Sequence, residues 1–137
     1  MIKKSIIIFI LTALVILAGC SGGGAFGDVR QVINQQTAAT EKLVDGLKNA
    51  NNAQDIANAY KAYNDVMENL APKYKEFAQK YPDIEDTMPA DLAADVDKLE
   101  KVSRKLGELS NKAAEYITDP QVSKEMQRTL DIMSSMM

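Results

Sequence analysis

Ile56, Tyr60, Tyr63, Met67, Leu70, Tyr74, Phe77 and Tyr81 succeed one another at alternating steps of four and three. That spacing brings side chains onto one face only in an α-helix, and an apolar face of about seven turns has to be buried by other helices. Asn52 reads as the cap of this helix, with Asp55 three residues further on to answer it. Pro72 sits inside the stripe and removes one backbone donor. Because the register continues on both sides of it, a kink is expected rather than a break. Pro82 ends the segment.

The same pattern recurs on either side. A first helix is expected over 28–49, with Val29, Ile33, Gln36, Thr40, Leu43 and Leu47 on its seam and an Asn-rich stop at 49–52. Pro89 suits the first turn of a third helix carrying Leu92, Val96, Leu99, Ser103, Leu106, Ser110, Ala113 and Ile117, widened by Val102, Leu109 and Tyr116. Asp119 and Pro120 open a fourth, whose inner face is read as Val122, Met126, Leu130, Met133 and Met137. Strand signals are lacking. Sustained spacing near 3.5 residues with short connections predicts an all-α fold, an antiparallel up-down helical bundle of four helices with the last one short.

Antiparallel pairing of these seams predicts layers. Leu47, Ile56, Ala113 and Met126 form one; Leu43, Tyr60, Ser110 and Leu130 the next; Thr40, Tyr63, Leu106 and Met133 a third; Gln36, Met67, Ser103 and Met137 a fourth. The fourth helix then runs out. Val29, Ile33, Leu70, Tyr74, Val96 and Leu99 are left with three helices around them, a candidate groove for a partner helix or a lipid chain. Closure of the three helices around one another is the competing expectation.

The 137 residues include 16 Lys and Arg against 19 Asp and Glu, a net charge of −3, with no histidine and one cysteine. Nucleic acid needs a basic face to displace counterions, and no Lys/Arg cluster offers one, so no such partner is expected. Without histidine there is no imidazole base and no histidine-held zinc or haem. A single cysteine, Cys20, makes no internal disulfide. No cofactor, metal or enzymatic activity is expected.

Lys3 and Lys4 precede an apolar run from Ile6 to Ala18, and Ala18 and Gly19 lead into Cys20. The run is shorter than the roughly 20 residues a membrane span needs, and the basic, apolar, small-residue order is that of an export signal. Leu17-Ala18-Gly19-Cys20 resembles the lipobox of bacterial lipoproteins. The resemblance covers the first 20 residues. It implies a signal peptide over 1–19, diacylglycerol transfer to the Cys20 thiol, cleavage before Cys20, and acylation of the new amine. Residues 20–27, including Ser21-Gly22-Gly23-Gly24, then form a flexible tether, and 28–137 the bundle domain. In Gram-negative members of the family, Ser after the lipidated Cys accompanies outer-membrane sorting, facing the periplasm. A Gram-positive cell would hold the protein on the outer face of its plasma membrane.

Three further clusters merit attention. Tyr60, Tyr63, Tyr74, Phe77 and Tyr81 share one stripe and offer phenols to a ligand, although packing alone requires the same stripe. Met126, Met133, Met136 and Met137 offer thioethers to Cu(I), or serve as adaptable filler. Asp83, Glu85, Asp86 and Asp91 make an acidic connection that lacks the spacing of a Ca²⁺ loop. The functional expectation is a membrane-anchored envelope protein acting as a non-catalytic interaction or structural helical module, with a possible envelope protein partner. The alternative is a module that binds a lipid or small apolar ligand at the membrane surface.

Overall fold

In the computed structural model, residues 26–84 and 89–136 are described. Among them are four α-helices and no strand: α1 (Gly27–Asn49), α2 (Ala53–Lys80), α3 (Ala93–Ala114) and α4 (Pro120–Met136), with a 3₁₀ turn (Ala90–Leu92) leading into α3. The chain is an all-α helical bundle with a short last helix. The sequence marks the boundaries clearly. Asn52 Oδ1 accepts from the Asp55 amide (2.9 Å), while the Asp55 carboxylate accepts from the Asn51 amide (3.0 Å), so two donors at the start of α2 are answered. At the start of α4 the Asp119 carboxylate accepts from the Gln121 and Val122 amides. Helix α2 runs through Pro72 without interruption, the proline ring lying on an exposed face.

The central pair is α1 and α2, antiparallel. Lys80 meets Asp28 at one end, Tyr74 meets Gln36 midway, and Gly46 lies against Ala59 near the other. A Cβ at Gly46 would stand 2.7 Å from that of Ala59, closer than two such atoms can approach. The Gly46→Ala variant therefore has to push the helices apart. Overpacking costs about 1–3 kcal/mol, whereas Ala in place of Gly contributes about 1 kcal/mol through helix propensity. Urea denaturation should show a net loss of stability, partly recovered when Ala59→Gly is added to make room.

Helix α3 packs on α1, and α4 packs on α2. Arg30 pairs with Asp95 (3.0 Å) at the start of α1 and α3, and Lys112 donates to the Lys48 carbonyl at their other end, so these two neighbours run parallel. Helices α2 and α4 are also parallel, since Asn64 meets Glu125 and residues 71–75 flank a shallow cleft with 131–135. The alternating directions expected from short connections are present, but the lateral order is α3–α1–α2–α4. At the end of the bundle where α2 stops and α3 starts, Ile84 and Leu92 are buried. Arg30 also donates to the Asp91 carbonyl there.

The proposed layers need correcting in their α4 members. Met126 was placed beside Ile56, but its neighbour Glu125 hydrogen-bonds Asn64, so α4 lies about two turns further along α2. The physical cause is the stretch 115–119. It is a run of turns, with Tyr116, Ile117 and Asp119 each donating to the carbonyl three residues back, and it carries the chain along the bundle before α4 begins.

Candidate functional site

That displacement removes the groove expected at the thin end. Val29, Ile33, Leu70, Tyr74, Val96 and Leu99 are all core, none more than 8% exposed. Ile132 and Met136 are buried beside the stretch of α2 that was expected to lack a fourth helix, and Leu92 closes the end from below. Cys20 and Met137 lie outside the described residues, as do Glu85 and Asp86 of the acidic connection. Asp91 opens the 3₁₀ turn, and among the described residues no group of acidic, histidine or cysteine side chains is gathered in the manner of a metal cage.

Tyr60, Tyr63, Tyr74 and Phe77 of the aromatic stripe are interior, whereas Tyr81 at its end is half-covered. Tyr74 donates to Gln36 Oε1 (2.7 Å), and Tyr63 is hydrogen-bonded to Thr40, whose hydroxyl also reaches the Gln36 carbonyl. Every buried side-chain nitrogen and oxygen among the described residues has a partner. Burial pushes the Tyr63 phenol up to about 12, and raises Tyr60 and, further, Tyr74. Tyr63 and Tyr74 thus knit α1 to α2 through the core, their hydroxyls already engaged.

A second polar cluster fastens α4. Asn64, fully buried, donates to the Glu125 carbonyl (2.9 Å) and carboxylate (3.0 Å) and accepts from Thr129 Oγ1 (2.8 Å). Arg128 grips Glu68 through two nitrogens (2.7 and 2.6 Å) and also reaches Asp65 (2.8 Å) and Glu125 (3.2 Å). The fork geometry of guanidinium suits this bidentate contact, which lysine could not make. Hydrogen bonds from Lys61 and Arg128 hold the Asp65 carboxyl below its ordinary value, and Arg128 does the same for Glu68.

Because both folded values are depressed, their stabilisation is present above the ordinary carboxylate range near pH 4 and is lost as pH falls through the folded values. Hydrogen exchange should show α4 amides losing protection below about pH 4 before those of the α1–α2 pair. In Arg128→Gln the α4 amides should already be less protected at neutral pH, with a smaller further loss on acidification. Uniform loss across all four helices would contradict a local clamp.

Fixed on α2 in this way, α4 turns part of its apolar surface away from the core. Its buried residues are Val122, Ile132 and Met136, whereas Met126 and Met133 are half-buried and Leu130 is 57% exposed. The methionines are thus divided, Met136 in the core and Met126 and Met133 on the flank. Opposite, the second half of α3 is equally uncovered: Leu106 and Leu109 are half-buried, Ser110 is exposed, and Ile117 in the following turn is 44% exposed. Apart from the turn that joins them, α3 and α4 touch little. Leu106, Leu109 and Ile117 on the α3 side and Met126, Leu130 and Met133 on α4 are therefore apolar side chains left partly or largely uncovered along the α3–α4 edge of the bundle.

Sequence reasoning assigned these residues to the core. The signal that would have corrected it was polar, namely Asn64, Asp65 and Glu68 on α2 spaced to meet Glu125, Arg128 and Thr129 on α4. Comparison of the chain with protein-family models, with curated proteins and with solved structures finds no match.

Proposed function

We propose that this chain is a lipid-anchored protein of the bacterial cell envelope whose bundle is a non-catalytic interaction module. The anchor rests on the lipobox-like Leu17-Ala18-Gly19-Cys20, and Ser21 favours the periplasmic face of an outer membrane where the cell has one. The observation that supports docking is the open α3–α4 edge. Two helices that flank an apolar strip make a seat for a third, read through anchors at i, i+3, i+4 and i+7. On α4 the uncovered residues Met126 to Met133 span about 10 Å, room for two turns of an amphipathic helix from another envelope protein. The six residues Val29, Ile33, Leu70, Tyr74, Val96 and Leu99 are packed core and support neither a lipid chain nor a partner helix at that place.

The test is site-specific photocrosslinking in intact cells. A photoreactive side chain at Leu130 should give a discrete adduct, and one at the exposed Lys101 on α3 should not. Equal labelling from both positions would end the docking reading. Membrane fractionation of Cys20→Ala tests the anchor separately. The variant should be released to the soluble fraction, and unchanged size and membrane retention would overturn it.

A further inference from the structure

The start of α1, the end of α2, the beginning of α3 and the end of α4 share one end of the bundle. On it, Phe26 packs on Tyr81 with ring centroids 5.2 Å apart, and Tyr81 packs on Phe77 at 5.7 Å. Phe77 is fully buried, while Phe26 and Tyr81 are only half-covered. Lys80 places its ammonium 5.0 Å from the Tyr81 ring and 2.9 Å from Asp28, and these contacts push the lysine's pKa upward, Asp28 first. An apolar body with a phenolic tip and a long-stemmed cation beside it is the combination that settles at the junction of acyl chains and headgroups.

What lies beyond this corner is fixed by the chain. Phe26 is six residues from Cys20, and six residues of chain reach at most about 21 Å. Resting on the reading of Cys20 as the lipid attachment point, we propose that the Phe26–Tyr81–Lys80 corner is a membrane seat, inserted at the headgroup level of the bilayer that holds the anchor. A weak contact suffices, because the anchor keeps the corner at high effective concentration at the surface. Charge does not supply the attraction. Asp28 and Asp95 at this end already engage Lys80 and Arg30, and Asp83 and Asp91 add negative charge. The seat therefore uses apolar and interfacial contact with neutral phospholipid.

Seating this end stands the bundle upright. The 28 residues of α2 measure about 42 Å, so the Asn49–Asn52 turn and the 115–119 turn are carried some 40 Å from the bilayer, and the open α3–α4 edge faces sideways. A partner helix would then have to present itself roughly along the membrane normal.

The chain has no tryptophan, so one introduced residue is a unique reporter. The processed protein, expressed in full with Tyr81→Trp, Pro82→Trp or, at the far end, Tyr116→Trp, is reconstituted into phosphatidylcholine vesicles with and without brominated acyl chains. Far-UV circular dichroism confirms folding, and Pro82, an exposed position, covers the case in which Tyr81→Trp misfolds. The seat predicts that tryptophan at 81 or 82 loses about half its emission to brominated lipid, as expected for the interfacial depth of aromatic belts, while that at 116 is unaffected. Emission at 81 and 82 as insensitive as at 116, on a chain whose Cys20 is shown by mass to be acylated, overturns the seat alone. An unacylated Cys20 overturns the anchor reading and the seat with it.

Discussion

Phe77→Ala should lower the unfolding free energy by about 3–5 kcal/mol, the range for truncating a fully buried aromatic residue. Phe77 has no exposed surface and packs where α1 begins, α2 ends and α3 starts, against Tyr81 and beside Ile84 and Leu92. A domain of this size has a stability of about 5–15 kcal/mol, so the variant should forfeit about a fifth of it at the least. Urea denaturation followed by circular dichroism measures the loss as a lower midpoint with unchanged slope. A loss under about 1 kcal/mol would mean that this end of the bundle is not close-packed. The contrast with Leu130→Ala is informative: that side chain is mostly in solvent, so the same truncation should be nearly silent.

The two positions also mark what could be read from the sequence. Phe77 lies on a seam with strict four-three spacing and two partner seams, and burial follows the pattern along the whole of α2. Helix ends were equally legible, because Asn52 and Asp119 carry side chains whose chemistry answers free amides within the next few residues. Leu130 lies on a less regular seam, with steps of four, four, three and four, and is exposed. Periodicity states which residues share a face, but the neighbour of that face depends on lateral order and axial position. For α4 those were decided by Asn64, Arg128 and their carboxylate and hydroxyl partners, which contribute little to a hydrophobic pattern. Short connections suggested that α3 and α4 would pack together, yet the turns over 115–119 allow them to diverge, each toward a different member of the central pair. The six-residue groove failed for the same reason. It followed from assumed axial levels, and moving α4 two turns closes it.

Raising the pH above 10 should unfold the domain cooperatively, and the buried phenols set where. Tyr60, Tyr63 and Tyr74 all have folded pKa values raised by burial, Tyr63 to about 12 and Tyr74 well above its ordinary 10. A group raised in the folded state gives its full stabilisation below the unfolded value near 10 and loses it as pH climbs toward the folded value. Tyr63 and Tyr74 lie deepest, and each removes about 1.4 kcal/mol per pH unit in that window, so the two together remove about 3 kcal/mol per unit. Far-UV circular dichroism and phenolate absorbance should therefore change together, with the buried phenols ionising as the helices melt. Phenolate forming well before any loss of helix would show that these hydroxyls are open to solvent.

Tyr74→Phe separates the two roles of that hydroxyl. It leaves Gln36 Oε1 without its donor in a buried place, which costs about 1–3 kcal/mol at neutral pH. Above pH 10 the variant has one buried phenol fewer to ionise, and its stability should fall less steeply than that of the parent chain. Plotted against pH, the two stability curves should converge between 10 and the alkaline transition, with the variant weaker where proteins are usually compared.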